Sequence, residues 1–306
     1  MQYITQLSDF TYQGPCAVTL GKFDGMHRGH QRLIRTIRKY SDENTKSVVF
    51  AFDMKQFLLN KGITRKMLMT NEERKKHMEK YVDYLIECPF TEEFRKIEPE
   101  DFIKDILVDK LHAKYIVIGA DYHFGRDKRG DANTLSRYAK KYGYHVDVIT
   151  KKKSDDRIIS SSYIRETLAG GDLELANELL GYPYTVYGRV EHGQKLGRTL
   201  GFPTMNIVPD IEKLLPKKGV YNCKVKIDGV WYKGIGNVGM KPTVTNDGRV
   251  LVEVHVLDYD AEAYEKEIEI KFLTFERGEK KFSSVEELKE QVDKDIASGK
   301  LYFEKA

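Results

Sequence analysis

An apolar run, Cys16 to Leu20, leads directly into Gly-Lys-Phe-Asp-Gly-Met-His-Arg-Gly-His at 21 to 30, and a helix-compatible stretch, Gln31 to Tyr40, follows. This order predicts a strand, a tight glycine turn and a helix. Gly21, Gly25 and Gly29 let the backbone turn sharply and approach a ligand closely, because no Cβ stands in the way. His27 and His30 are three residues apart at the helix start, so both imidazoles lie on one face. The free N–H groups and the positive end of the helix dipole point the same way. Such a place suits the phosphates of a nucleoside triphosphate. It would act by stabilising charge that builds up on the phosphates in the transition state, without a covalent intermediate. His-x-x-His alone is more often a pair of surface or core histidines. The intervening glycine and the strand–turn–helix placement are what phosphate binding requires. Gly21, Phe23, Asp24, Gly25 and Gly29 are then the candidates to border the nucleotide.

The rest of the first half alternates strand and helix. Lys46 to Phe52, Tyr84 to Cys88, Tyr115 to Gly119 and His145 to Ile149 read as strands. Between them, Thr70 and Glu73 form a capping box ahead of a charged helix to about Lys80. Pro99 opens an amphipathic helix carrying Phe102, Ile103, Ile106 and Leu107, and Asp131 to Tyr142 reads as another helix. The alternation implies a parallel sheet covered on both faces, whose ligands bind at the carboxyl ends of the strands. Two further stretches belong at that edge. Gly119-Ala-Asp-Tyr-His-Phe-Gly125, with Asp121 and Phe124, suits a loop that holds a ring or a ribose; an ordinary βα loop reads the same. In Ile159-Ser-Ser-Ser-Tyr-Ile-Arg165, serines including Ser161 cap a helix and Arg165 lies one turn in, where a guanidinium could clamp a phosphate. A capped surface helix with a solvated arginine fits as well.

Around Gly181-Tyr-Pro-Tyr184 the texture changes, dividing the chain into domains at 1–182 and 183–306. Short β-rich segments follow: Thr185 to Val190, Gly219 to Ile227, Trp231 to Gly234, Val250 to Tyr259 and Ile268 to Phe275. Asp228-Gly229 is a hairpin signal, and Asn246-Asp-Gly-Arg is a second turn. Many short strands at such spacing predict a small closed barrel. Ser283 or Ser284 then caps a terminal helix with Val285, Leu288, Val292 and Ile296 on one face. The stretch from Gly188 to Asn206 puts glycines at 188, 193, 197 and 201, whose backbone N–H groups can wrap phosphate oxygens. Thr204 and Asn206 then offer neutral oxygens suited to Mg²⁺ shared with phosphates. The Gly-Lys-Ser/Thr ending of a Walker A loop is missing, and a lone glycine-rich loop is more often a flexible turn. On Val250 to Val256 the valines point one way, leaving Glu253 and His255 on the other face. That is either a solvated strand face or the setting of a general base that must reach a hydroxyl.

At 306 residues two domains are expected. The net charge of +4 is spread along the chain, which speaks against a nucleic-acid partner. Lys151-Lys152-Lys153 is a basic run followed at once by Asp155 and Asp156, and reads as a solvated loop. Cys16, Cys88 and Cys223 form neither a zinc pattern nor a disulfide framework. No signal core or membrane span is visible, so a cytoplasmic protein with no membrane partner is expected. Nothing in the sequence sets an oligomeric state.

Taken together, these stretches resemble the bacterial bifunctional riboflavin kinase/FMN adenylyltransferase (FAD synthetase) family. The resemblance rests on 21 to 30, 119 to 125 and 160 to 165 in the first half. In the second half it rests on Gly-Arg-x-Leu-Gly-Phe-Pro-Thr-x-Asn at 197 to 206, Gly-Val-Tyr at 219 to 221, Gly-Asn-Val-Gly at 236 to 239 and Glu-Val-His at 253 to 255. It implies an α/β plus β chain: an N-terminal parallel-sheet, Rossmann-like nucleotidyltransferase domain and a C-terminal riboflavin-kinase β-barrel with a terminal helix. The barrel would move the γ-phosphoryl group of ATP to riboflavin, giving FMN. The first domain would move AMP from a second ATP to FMN, giving FAD and pyrophosphate. By motif, His27 and His30 would stabilise the transferring phosphates, Ser161 and Arg165 would hold the nucleotide phosphates, and Asp121 would sit by nucleotide and flavin phosphate. Gly197 and Gly201 would line the kinase nucleotide loop, Thr204 and Asn206 would bind Mg²⁺-ATP, and Glu253 would activate the riboflavin 5′-hydroxyl. Phe124 and Arg277 would border the flavin. The family usually reads Phe-x-Pro-His-Pro after the second strand, where this chain has Phe52-Asp-Met-Lys-Gln56. The competing expectations are an active kinase with a weak or inactive adenylyltransferase, and a non-catalytic flavin-binding regulator.

Overall fold

The computed structural model describes residues 1–192, 197, 200–240 and 250–305. The chain forms two compact units, Met1–Ser161 and Ser162–Ala306. In the first, β1 (Gln2–Ile4), β2 (Cys16–Gly21), β3 (Lys46–Asp53), β4 (Tyr84–Pro89), β5 (Ala113–Gly119) and β6 (His145–Ile149) make one sheet, in the order β1-β4-β3-β2-β5-β6. Every pairing is parallel. Val18, Val48, Phe50, Ile86, Ile116 and Ile118 are fully buried, as continuous apolar strands covered on both faces must be. From β2 the chain passes through α1 (Arg28–Tyr40) to β3 on one side, and later arrives at β5 on the other. The gap between the carboxyl ends of β2 and β5 is therefore a topological switch point, where sheets of this kind bind ligands.

The local expectations for this unit agree with the structure. The helix Asn71–Met78 starts with a reciprocal capping box between Thr70 and Glu73. Asp131 caps the helix Ala132–Tyr142 through the N–H of Thr134. After Pro99 the helix winds more widely than an α-helix over Phe102–Lys110 and buries Phe102, Ile103, Ile106 and Leu107. Two features differ. The three-residue β1 is too short to show in the sequence, and the stretch read as a solvated loop contains the ribbon β7 (Lys153–Ser154) with β8 (Arg157–Ile158).

In the second unit, β9 (Tyr184–Glu191), β10 (Met205–Pro209), β11 (Gly219–Ile227), β12 (Val230–Met240), β13 (Val250–Val256) and β14 (Glu267–Gly278) close into an antiparallel barrel. Asp228 (φ 49°) and Gly229 (φ 87°) form the expected two-residue hairpin between β11 and β12. Strand β12 runs well past Gly234, where the sequence suggested an end. A Cβ on Gly234 would lie 3.0 Å from a Val254 methyl, and one on Gly236 would lie 3.4 Å from the Cys223 sulfur. These glycines fit a crowded wall and do not break the strand. Strand β10 was not expected either, since Pro203 stands just before it and Pro209 ends it. The turn at 246–249 and Gly193 lie outside the described residues.

The terminal helix Val285–Lys305 is capped by Ser284, whose Oγ accepts from the N–H of Glu287. Of the expected face, Leu288, Val292 and Ile296 are partly buried, and Val285 is the correction. Val285 is 49% exposed, and the helix packs through Ile296 and Phe303 against Val220, Ile235 and Leu257. Gly299 marks a close approach, because a Cβ there would come within 2.8 Å of Ile235.

Candidate functional site

The turn after β2 is built from strained backbone. Phe23 (φ 49°) and Met26 (φ 40°) occupy the left-handed region on either side of Asp24 and Gly25 (φ 84°), and both side chains are fully buried. Non-glycine residues there cost about 1–2 kcal/mol each and persist only where their surroundings hold them. Here the Asp24 carboxylate accepts from the N–H groups of Leu68 (2.9 Å) and Met69 (3.3 Å). The Asp24 carbonyl accepts from the Ser161 hydroxyl (2.8 Å), and the Met26 carbonyl from the Gln31 amide (2.9 Å). Phe23 and Asp24, expected beside the nucleotide, are thus the frame of the turn. Ser161, expected as a cap, donates its hydroxyl to that frame.

His27 is the N-cap of α1. Its Nδ1 accepts from the N–H of His30, and the two imidazoles stack with centroids 3.7 Å apart. An accepting Nδ1 places the proton on Nε2. Burial lowers the His27 pKa to about 4 against a small opposing pull from Asp24. Burial, then His27 and Arg74, lowers that of His30 well below its ordinary value. Both rings are neutral at pH 7 and serve as hydrogen-bonding groups. Among the described residues, the buried Nδ1 of His30 has no hydrogen-bond partner, which is uncommon for a buried polar atom. A Cβ at Gly29 would lie 3.1 Å from the His27 ring, which accounts for the glycine between the histidines.

Around this platform the Lys22 ammonium pKa is lowered by burial and by the nearby charges of Arg65 and Lys128. These cations escaped sequence reasoning, because their motif positions carry no signal. Asp121, in the loop leaving β5, is exposed and paired with Lys151 at 2.7 Å. Phe124 is a core residue that packs on Phe102, with centroids 5.2 Å apart. A groove of about 500 Å³ lined by Pro15, Asp109, His112 and Lys114 lies at the opposite ends of β2 and β5 and shares no residue with this site. Arg165 stands one turn into the helix Ser161–Gly170, within the second unit.

The barrel brings together residues far apart in sequence. Asn206 on β10 pairs laterally with Glu253 on β13, which pairs with Asn237 on β12. Directly opposed residues share a sheet face, so two amides flank one carboxylate. His255, two residues on, faces the Pro203 carbonyl with Nδ1 at 2.9 Å and so fastens β13 to the segment before Thr204. Gly197 is held against Phe202, whose N–H donates to the Gly197 carbonyl (2.9 Å); Gly201 adopts φ 92°. Arg277 makes a two-pronged ion pair with Asp295 of the terminal helix, at 2.9 and 2.6 Å. Asn237 and Asp295 are additions to the expected set. The first could have been sought in Gly-Asn-Val-Gly, while the second had no signal.

Comparison with known proteins matches each unit separately. The family described as FAD synthetase matches residues 9–163, and the family described as riboflavin kinase matches residues 180–303. The bifunctional riboflavin kinase/FMN adenylyltransferase of Haemophilus influenzae is 39% identical over 293 residues, covering 94% of each chain. That of Listeria monocytogenes is 37% identical over 94% of this chain and 92% of its own. A crystal structure from Streptococcus pneumoniae, described as a macrolide-efflux protein, superposes over 98% of both chains with a TM-score of 0.87 and 29% identity. In this chain no helix among the described residues is long and apolar enough to cross a membrane. Two matched domains in this order, and relatives of nearly equal length, show that the chain belongs to the bifunctional riboflavin kinase/FMN adenylyltransferase family.

Proposed function

We propose that His27 and His30 carry the adenylyl transfer of this enzyme and that Asn206 and Glu253 carry its phosphoryl transfer. The chain phosphorylates riboflavin to FMN with ATP and adenylylates FMN to FAD with release of pyrophosphate. What supports the assignment of residues is that His27 and His30 lie within the span matched by the FAD synthetase family, and Asn206 and Glu253 within that matched by the riboflavin kinase family. Adenylyl transfer belongs to residues 1–182 and phosphoryl transfer to 183–306.

In the first site, the neutral imidazoles and the N-terminus of α1 donate hydrogen bonds to phosphate oxygens as negative charge shifts to the pyrophosphate leaving group. Lys22 adds positive charge, and Asp121 serves the nucleotide and the flavin phosphate. Ser161 and Arg165 hold the nucleotide phosphates. Phe124 shapes the loop from below. In the second site, Glu253 takes the proton of the riboflavin 5′-hydroxyl as it attacks the γ-phosphorus. Arg277, oriented by Asp295, borders the flavin. Gly197 and Gly201 lend backbone N–H groups to the nucleotide.

Thr204 stands just before β10 and Asn206 is its second residue, and both offer neutral oxygens. No group of three His, Cys, Asp or Glu side chains that could hold a metal is present among the described residues. The donor set fits Mg²⁺ arriving with ATP, with phosphates and water supplying the remaining ligands. When bound, the ion neutralises charge on the phosphates. The chemistry belongs in the cytoplasm, where ATP is available.

The test is a chromatographic time course with riboflavin, ATP and Mg²⁺. FMN should appear first and FAD after it. FMN that accumulates without FAD would leave only the kinase assignment standing, and the absence of FMN would remove both.

A further inference from the structure

Arg74 and Glu87 form an ion pair at 2.6 Å with both side chains almost fully buried, 3% and 2% exposed. Glu87 interrupts the otherwise apolar run Leu85, Ile86 and Cys88 on β4, and its second oxygen accepts from the Tyr3 hydroxyl at 2.6 Å. Replacing such a pair by apolar groups is commonly neutral or stabilising, so its presence is poorly explained by stability. Its geometry offers a better account. The Arg74 guanidinium donates from Nε to Glu87 (2.6 Å), from one terminal nitrogen to the carbonyl of Lys22 (3.1 Å) and from the other to Asn71 (2.6 Å). Asn71 in turn donates to Asp53 (3.2 Å), the first residue of the segment that departs from the family pattern.

The Lys22 carbonyl and the Asp24 carboxylate are both held by the segment 68–74, through Arg74 and through the N–H groups of Leu68 and Met69. Between these two anchors stands Phe23, buried and at positive φ, with its ring against that of His30 at 5.1 Å between centroids. A flexible or shorter side chain at 74 would release one anchor and let the strained turn relax, carrying the histidine rings with it.

We propose that Arg74, backed by Glu87, is a positioning residue for adenylyl transfer, holding the Phe23–Met26 turn and through it the His27–His30 platform. The proposal rests on the assignment of adenylyl transfer to that platform. Arg74 does not touch substrate. Its three-way fork fixes where the imidazoles stand, and a displacement of the order of 1 Å at such a place costs much of the rate. Its charge also helps keep His30 neutral.

The test uses the full chain and two assays, riboflavin to FMN and added FMN to FAD. Arg74→Lys keeps the charge and loses the fork. It should lower kcat for FAD formation by about tenfold or more, with KM for ATP and FMN within about twofold and FMN formation unchanged. A second variant, Arg74→Met with Glu87→Leu, replaces the pair by apolar groups. It should keep the unfolding midpoint of the first unit and still lose FAD formation. Full kcat in either variant would overturn the proposal. So would loss of the first unit's unfolding transition in both, which would make the pair purely structural. His30→Ala run alongside separates the two ideas: if it retains FAD formation, the platform assignment has failed, whatever Arg74 does.

Discussion

The rings of His27 and His30 stack at 3.7 Å between centroids while the backbone N–H of His30 donates to Nδ1 of His27. One contact orients both side chains: the cap fixes the first ring and its tautomer, and the second ring lies against it. The pair is therefore one surface of stacked, neutral rings, and its consequences differ from those of two independent cations.

Removing the second ring tests this surface directly. His30→Ala should lower FAD formation from FMN by on the order of 10²–10³-fold, the scale of losing one oriented donor to developing charge. FMN formation in the same preparation should be unchanged. Equal loss of both activities would show that the two sites are not independent.

Acid should weaken the first unit through these rings. The His27 pKa falls from 6.5 in the unfolded chain to about 4 in the folded one. As pH drops from 6.5 towards 4, the unfolded chain therefore binds the proton first and stability declines; above 6.5 this group has no effect. The full shift is on the order of 3 kcal/mol, and His30 acts in the same direction. His27→Asn keeps an accepting N-cap and removes the proton site. Denaturant midpoints between pH 6.5 and 4.5 should fall less in that variant than in the parent chain. Equal slopes would place the acid sensitivity elsewhere.

Gly29→Ala should separate stability from activity. Alanine in the first turn of α1 favours the helix by up to about 1 kcal/mol, yet its Cβ would press on the His27 ring from 3.1 Å. The expected result is an unchanged or raised unfolding midpoint with FAD formation reduced about tenfold. Full activity would show that the ring has room to yield.

In the barrel, Glu253→Gln keeps shape and removes the base. Riboflavin phosphorylation should fall by roughly 10²–10⁴-fold, while FAD formation from supplied FMN continues. A full kinase rate would refute the base assignment. Asn206→Ala should give the same pattern, with an added rise in the Mg²⁺ concentration needed for half-maximal rate.

Asp295→Ala leaves the Arg277 guanidinium without its two-pronged partner. The pair is only partly shielded, 25% and 9% exposed, so the cost should be about 1–3 kcal/mol, below that of a fully buried pair. Unfolding of the second unit followed by denaturant reads this; no change would mean that water replaces the carboxylate without penalty.

Features written in short windows of sequence were legible. The strand–turn–helix at 16 to 40, the Thr70–Glu73 box and the Asp228-Gly229 hairpin depend on neighbours in the chain, and the structure has them where expected. Features that depend on what lies opposite were not. Gly234 read as a strand end because the Val254 side chain it makes room for is distant in sequence. The framing role of Asp24 did not show because its partners, the N–H groups of Leu68 and Met69, carry no side-chain signature. Arg74 looked like any charged residue on a charged helix, and Val285 fitted an apolar stripe of which the helix leaves that first residue exposed.

The crevice between β2 and β5 owes its existence to the order in which strands were laid down, since the chain leaves β2 in one direction and reaches β5 from the other. No side chain creates it, so no single substitution can abolish it. Loops on its rim can therefore be exchanged or lengthened to admit a different acceptor while the scaffold stays the same. An engineer seeking flavin analogues carrying altered nucleotides would have a fixed cleft to furnish, with the segment 53–56 and the loop 119–125 as the first places to vary.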